Sequence, residues 1–201
     1  MDMTQFSTVP LLTAAISTGT VALAEIGDKT QLLALLLAAR YSKPWPIVAG
    51  ILLATLLNHA LAAWLGALAA QWLTPSVLRW IVAISFIAIA LWTLKPDSLD
   101  DDGGSLPAGG ARFGQVLAAT TIAFFIAEIG DKTQVATVLL AARYSPLWQV
   151  VAGTTLGMLA ANVPVVLLGS RFAARLPLRA ARIAAALVFL ALGLWALSGA
   201  L

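Results

Sequence analysis

The sequence contains one octapeptide twice: Ala24-Glu25-Ile26-Gly27-Asp28-Lys29-Thr30-Gln31 and, 103 residues later, Ala127-Glu128-Ile129-Gly130-Asp131-Lys132-Thr133-Gln134. We call these copies the first motif and the second motif. The same offset relates the stretches 38–42 and 141–145, and also 48–50 and 151–153. The chain therefore consists of two related halves, each with one motif near its beginning.

The composition excludes most soluble folds. Of the 201 residues, 61% are hydrophobic and only 10% are charged, whereas soluble domains have about 45–50% apolar and about 25% charged residues. The chain has no cysteine, which excludes disulfides and thiolate metal sites, and its net charge of +3 is too small to suggest a nucleic-acid partner. We also expect no removable signal peptide. These features predict a membrane protein.

Breakers divide the chain into apolar segments. Proline-containing breaks and one acidic stretch separate six of them: about 9–39, 45–73, 77–94, 114–142, 147–169 and 180–197. The runs are continuous and rich in Ala and Leu, so they predict helices rather than barrel strands. The fold class is thus an all-α polytopic membrane protein with six transmembrane helices. Because each half has three spans, the halves, 1–94 and 114–201, would be inverted repeats joined by an acidic linker, 95–113.

Basic residues predict the orientation. The loops on the N-terminal side hold two of them, Arg79 and Arg143. The loops on the other side hold eight: Arg40, Lys43, Lys95, Arg112, Arg171, Arg175, Arg179 and Arg182. Since cytoplasmic loops are enriched in Lys and Arg, we expect both termini outside and the acidic linker in the cytoplasm.

Four acidic residues lie inside the predicted helices: Glu25, Asp28, Glu128 and Asp131. Together they would cost roughly 10 kcal/mol in a bilayer without partners, so they are expected to be functional. The alternative is an ion-pair network with Lys29 and Lys132 that has only a structural role. Two ammonium groups leave two of the four negative charges unbalanced, however, and one divalent cation or two protons would neutralise them.

The spacing of the motif predicts a shared face if the helix continues through it. Glu25 and Asp28 would lie on that face with Lys29 beside them, Thr30 would point away, and Gln31 would return near Asp28. The glycine of each motif would allow a close backbone approach, or would loosen the helix and free its carbonyl groups. Inverted repeats would bring the two faces together in one central site.

The predicted metal ligands are all oxygen donors: Glu25, Asp28, Gln31, Glu128, Asp131 and Gln134. Further candidates are Thr30, Thr133, Lys29, Lys132, His59 and Asn162. His59 aligns with Asn162 at the repeat offset, and either residue could instead make an interhelical hydrogen bond. Hard oxygen ligands favour Ca²⁺ or Mn²⁺ over zinc or copper, and Mg²⁺ gives up its water reluctantly.

The same carboxylates can couple the cation to protons. Burial and neighbouring negative charge both favour the protonated carboxyl, whereas a bound cation favours the ionised one. Cations and protons would therefore compete for one site. Combined with alternating access, that competition predicts a secondary active antiporter rather than an enzyme, with no cofactor and with the divalent cation, protons and membrane lipid as partners.

The paired Glu-x-Gly-Asp-Lys-Thr motifs, at 25–30 and 128–133, resemble the signature of the Gdt-type family of membrane cation/proton exchangers. That family resembles the wider calcium/cation antiporter superfamily, and the resemblance covers nearly the whole chain. It implies exchange of Ca²⁺ or Mn²⁺ for protons, with Mn²⁺ export the commoner role among short bacterial-looking members, and so a bacterial inner membrane. It also implies that the glutamates and aspartates of both motifs bind the ion, with the threonines and glutamines nearby.

One alternative function stays open from the sequence: an exporter of small organic cations or amino acids. Such an exporter would need a roomier cavity with aromatic lining. Aromatic residues make up only 8% of this chain, and most of them lie away from the motifs. An intramembrane aspartyl protease would need glycine where Glu25 and Glu128 stand, and a passive channel would show no coupling to protons.

Overall fold

The computed structural model describes residues 3–95, 111–169 and 177–198, with side chains from residue 11 onward. Most of the predicted acidic linker, 96–110, lies outside the described residues, and so do Arg171 and Arg175 of the predicted cytoplasmic loops. The division of the chain into two halves stays a prediction.

Every regular element in the described ranges is a helix. In chain order, the helices are α1 (Met3–Glu25), α2 (Lys29–Tyr41), α3 (Pro44–Trp72), α4 (Pro75–Thr93), α5 (Phe113–Glu128), α6 (Lys132–Arg143), α7 (Leu147–Leu168) and α8 (Leu178–Leu197). The expectation of an all-α membrane fold agrees with this helical content.

Four of these helices, α3, α4, α7 and α8, are long and apolar enough to cross a membrane. Their ends lie within about two residues of the predicted ones, because prolines mark the breaks between them. Pro75, for example, is the first residue of α4, where a missing N–H group costs nothing, and Thr74 caps that helix. A fifth span results if α5 and α6, which meet at an angle of 72°, are counted as one broken span.

The first and fourth predicted helices are not continuous, which corrects the prediction. The apolar segment 9–39 is interrupted between α1 and α2, and the segment 114–142 is interrupted between α5 and α6. Both breaks fall inside the motifs, at Gly27 and Gly130. These glycines have φ angles of +79° and +75°, values that L-residues with a Cβ adopt only at a cost.

The helices of the two halves pack on each other reciprocally. Helix α1 packs on α7 and α5 packs on α3, while the motif helices α2 and α6 pack on α7 and α3 respectively. Each of these contacts has a counterpart when the halves are exchanged. A further pair, α4 and α8, joins the third long helices of the halves.

Small residues permit the close contact of α1 with α7. A Cβ added at Gly153 would lie 2.6 Å from the carbonyl oxygen of Ala14, and one at Gly157 would lie 2.6 Å from that of Thr18. Backbones that approach this closely gain van der Waals contact, which is the main attraction between helices in lipid. This contact holds the break between α1 and α2 against the middle of α7.

Candidate functional site

Each motif is a helix break that sets two carboxylates at the junction. In the first motif Glu25 is the last residue of α1, and Asp28 is the N-cap of α2, where its side chain accepts a hydrogen bond from the N–H of Thr30 at 3.4 Å. In the second motif Glu128 ends α5 and Asp131 occupies the N-cap position of α6. The N-termini of α2 and α6 therefore lie beside the carboxylates, where the helix dipole favours negative charge.

The break also reverses the predicted direction of Thr30. A continuous helix would turn this residue away from Glu25, but the Thr30 hydroxyl donates to Oε2 of Glu25 at 2.5 Å. The equivalent bond, from Thr133 to Oε2 of Glu128, measures 3.2 Å. Both threonines therefore hold one oxygen of a glutamate in place, so the prediction that Thr30 points away was wrong.

The motif glutamines close the turns and reach the other half. The Gln31 side-chain oxygen accepts from the N–H of Gly27 at 2.9 Å, and its amide nitrogen donates to the carbonyl of Ala161 at 3.0 Å. Gln134 accepts from the N–H of Gly130 at 2.8 Å. Each of these amide oxygens accepts one hydrogen bond from its turn, and coordination of a metal by the two glutamines stays a prediction.

Gln134 makes the matching contact to the first half. Its amide nitrogen lies 3.4 Å from the side-chain oxygen of Asn58, whose own amide donates to the carbonyl of Phe125 at 3.0 Å. Asn58 stands at the position that corresponds to Ala161 at the repeat offset. Each motif is thus tied to the same level of the long helix, α3 or α7, of the other half.

Three carboxylates converge between the motifs: Glu25, Glu128 and Asp131. One oxygen from each residue lies within 4.8 Å of the others, and all three residues are at most 2% exposed. We call this group the carboxylate cluster. Three of its oxygens, Oε1 of both glutamates and Oδ2 of Asp131, have no hydrogen-bond partner among the described residues. Buried carboxylate oxygens are costly without a positive charge, so the cluster suits a cation.

The motif lysines cross between the halves. Lys132 forms an ion pair with Asp28, and Lys29 lies 3.7 Å from Asp131. Each lysine therefore pairs with the aspartate of the opposite motif. When all of these groups are ionised, the four predicted carboxylates and the two ammonium groups have a net charge of −2, because the pairing neutralises only two carboxylates.

Asn162 and His59, equivalent in sequence, have different surroundings. The Asn162 amide lies 3.5 Å from Oε2 of Glu25 and also donates to the carbonyl of Met158 at 3.1 Å. His59 is fully buried, and its ring nitrogens have no hydrogen-bond partner among the described residues. Within that part of the chain, His59 does not belong to the carboxylate cluster. Its coordination of an ion stays a prediction.

An open cavity of about 400 Å³ lies apart from the motifs. It is formed where the ends of α3, α6 and α8 meet the beginning of α4, and two of its lining residues are Arg79 and Arg143. No carboxylate lines it. Its positive lining is unsuited to a divalent cation, which leaves the carboxylate cluster as the better site for one.

The comparison with protein families decides the classification. The family model described as "Divalent cation/proton antiporter GDT1" matches residues 13–101 and 116–201. The chain belongs to the GDT1 family. This membership confirms the resemblance noted from the paired motifs, and the two matched ranges leave out residues 102–115, which include most of the predicted linker.

The chain is similar to proteins from two bacteria and one plant. The chain is 55% identical over 181 residues to a Vibrio cholerae protein named "Putative manganese exporter", an alignment that covers 90% of this chain and 88% of the relative. It is 27% identical to a GDT1-like protein of Synechocystis over 77% of this chain and 81% of the relative. GDT1-like protein 5 of Arabidopsis thaliana is 29% identical over 87% and 90% of the two chains. No solved structure matches the chain.

Three features of this GDT1 protein's site were not predicted from the sequence. The helix break had a visible signal, because glycine followed by aspartate combines a typical helix end with a typical N-cap. The contact of Asn58 with Gln134 had no specific signal beyond a polar residue in an apolar helix. The crossing of the lysines depends on tertiary packing, and no local pattern indicates it.

Proposed function

We propose that this protein exports Mn²⁺ across a bacterial inner membrane in exchange for protons. The observation that carries the proposal is the carboxylate cluster, in which Glu25, Glu128 and Asp131 bring oxygens from both motifs within 4.8 Å of one another. Membership of a divalent cation/proton antiporter family supports it. So does the 55% identity with the Vibrio cholerae protein whose name refers to manganese export.

In the proposed architecture, α1 with α2 and α5 with α6 are each one broken span. Together with α3, α4, α7 and α8 they give six spans in two inverted halves, 1–94 and 114–201. The broken helices would place their half-helix ends and the motifs near the middle of the bilayer, where transporters of this kind bind their substrates. Both termini then lie outside and the linker, 95–113, lies in the cytoplasm, in keeping with the uneven distribution of basic residues.

The charge of the site explains how exchange would work. Four carboxylates and two lysines leave a charge of −2, which one divalent cation or two protons would neutralise. Both neutral forms of the site could cross between the two access states, whereas the charged form would be held back by the low dielectric. Because the cation and the protons occupy the same carboxylates, export of one drives import of the other.

The ligand set favours a small inorganic cation. Carboxylate and hydroxyl oxygens suit Mn²⁺ and Ca²⁺ equally well, so the proposal of Mn²⁺ depends on the named relative. A spacing of 4.8 Å or less between the ligand oxygens suits a single ion. The small, buried cluster favours such an ion over the larger organic cation or amino acid of the alternative function.

Transport in reconstituted vesicles tests the proposal. Vesicles with an acidic lumen should take up external Mn²⁺, their lumen should become less acidic as they do so, and a proton ionophore should stop the uptake. Lowering the external pH should raise the KM for Mn²⁺, because protons compete for the carboxylates. Competition by Ca²⁺ and Mg²⁺ at two pH values would define selectivity. Uptake that ignores an imposed pH step would contradict antiport.

A further inference from the structure

The two motif lysines are equivalent in sequence but not in structure. The side chain of Lys132 is 3% exposed and its ammonium group is in close contact with Asp28. The side chain of Lys29 is 30% exposed, and its ammonium group is 3.7 Å from the nearest oxygen of Asp131. That distance is longer than a hydrogen bond. One pair is therefore enclosed and tight, and the other is loose and partly open.

The two aspartates differ in the same way. Asp131 belongs to the carboxylate cluster, and its Oδ2 has no hydrogen-bond partner among the described residues. Asp28 has its partner in Lys132 and stands outside the cluster. Lys29 is thus the lysine whose partner is also a candidate ligand of the transported ion, with Oδ1 facing the ammonium group and Oδ2 still available.

We propose that Lys29 is a tethered cation that competes with the transported ion for Asp131, whereas Lys132 is a fixed counter-charge that the buried carboxylate of Asp28 needs for stability. The inference rests on the proposed function and assigns separate roles to two lysines within it. Three carboxylates, rather than four, then hold the ion in this state.

Electrostatics and space both support this division. A divalent ion among the three carboxylates would repel an ammonium group a few ångströms away, since such charges interact strongly in a medium of low dielectric. The side chain of Lys29 is partly exposed, so it can turn away from Asp131 while its charge stays beside the site. Lys132 has almost no exposed surface, and moving it would leave the buried carboxylate of Asp28 without its counter-charge. When Lys29 returns, it helps to displace the ion, which favours release.

The neutral variants Lys29→Gln and Lys29→Met should therefore bind Mn²⁺ more tightly. We expect the Kd to fall by about tenfold or more, because a positive charge close to the ion is removed. Turnover should fall as well, since release slows. Lys29→Arg keeps the charge and should keep a Kd close to that of the unchanged protein. A lysine with only a structural role would give the opposite result, because its loss would weaken binding or leave it unchanged.

Lys132→Gln is the matched control in the other half. It leaves the buried carboxylate of Asp28 uncompensated, a change that is strongly destabilising in protein interiors. We expect this variant to be less stable in detergent and to show no tighter binding of Mn²⁺. The contrast between the two lysines therefore separates competition for the ion from general loss of positive charge.

The experiment measures equilibrium binding of Mn²⁺ alone to the purified full-length protein in micelles, from the loss of the free-ion electron paramagnetic resonance signal. Tighter binding in both neutral Lys29 variants, but not in Lys29→Arg or Lys132→Gln, supports the proposal. Unchanged or weaker binding in Lys29→Gln and Lys29→Met overturns it, even if the unchanged protein transports Mn²⁺. Absence of both Mn²⁺ binding and proton-driven uptake in the unchanged protein would instead overturn the proposed function.

Discussion

The glycine of the second motif offers a clean test of the helix break. Gly130 has a φ angle of +75°, and a Cβ added there would meet nothing within 4 Å. Gly130→Ala therefore imposes only the conformational cost of the left-handed region, about 1–2 kcal/mol. Alanine also lowers the entropy of the unfolded chain, which offsets about 0.4–1 kcal/mol. We expect a net loss of about 1 kcal/mol in the free energy of unfolding.

Gly27 provides the matched comparison. Its φ angle is +79°, but an added Cβ would lie 3.1 Å from Cδ2 of Leu178, at the start of α8. Gly27→Ala should therefore lose more stability than Gly130→Ala, because the Leu178 side chain has to shift by a few tenths of an ångström. Leu178→Ala should cancel this additional loss when it is combined with Gly27→Ala, and should have no such effect when it is combined with Gly130→Ala.

Unfolding of the purified protein by SDS in mixed micelles measures these differences. A double-mutant cycle with Leu178→Ala separates the contact from the backbone conformation, because residues in contact are coupled and distant ones are additive. If Gly130→Ala were as stable as the unchanged protein, the left-handed turn, and with it the helix break at the second motif, would be refuted. Equal losses at Gly27 and Gly130 would refute the contact with Leu178 only.

Further predictions concern the carboxylates and their hydrogen bonds. Glu25→Gln and Glu128→Gln should each abolish proton-driven Mn²⁺ uptake in vesicles while the protein still inserts, and near-normal flux in both would exclude these residues from the site. Thr30→Val should weaken Mn²⁺ binding by about tenfold, because it removes a hydrogen bond to an ionised carboxylate. Thr133→Val should weaken it less, since that bond is 3.2 Å long rather than 2.5 Å; an equal effect would contradict this ranking.

The sequence was sufficient to predict where the long helices begin and end, because those limits depend on local chemistry. Proline fixes the beginnings of α3 and α4, at Pro44 and Pro75. Apolar runs of about 20 residues then predict that each helix is long enough to cross a membrane. The sequence also singled out the acidic residues that the structure buries between the motifs, since ionisable side chains in apolar helices are expensive. Both inferences use properties of single residues or short runs.

The geometry within the motifs was less predictable. Apolar residues continue on both sides of the break, so hydrophobicity alone favours a continuous helix through Gly27. The local signal of glycine followed by Asp28 competes with that pattern and decides the structure. The bond from Thr30 to Glu25 follows from the break and could not be found without it.

The difference between the motifs lies beyond any reading of the sequence, because the two octapeptides are identical. Their different surroundings come from the helices packed around them: Leu178 of α8 covers Gly27, whereas no described residue would touch a Cβ at Gly130. The same packing leaves Lys29 partly open and encloses Lys132. Identical side chains can therefore have unequal roles in one molecule. Opposite responses of Mn²⁺ binding to Lys29→Gln and Lys132→Gln would show that packing, rather than the motif itself, determines which lysine competes with the ion.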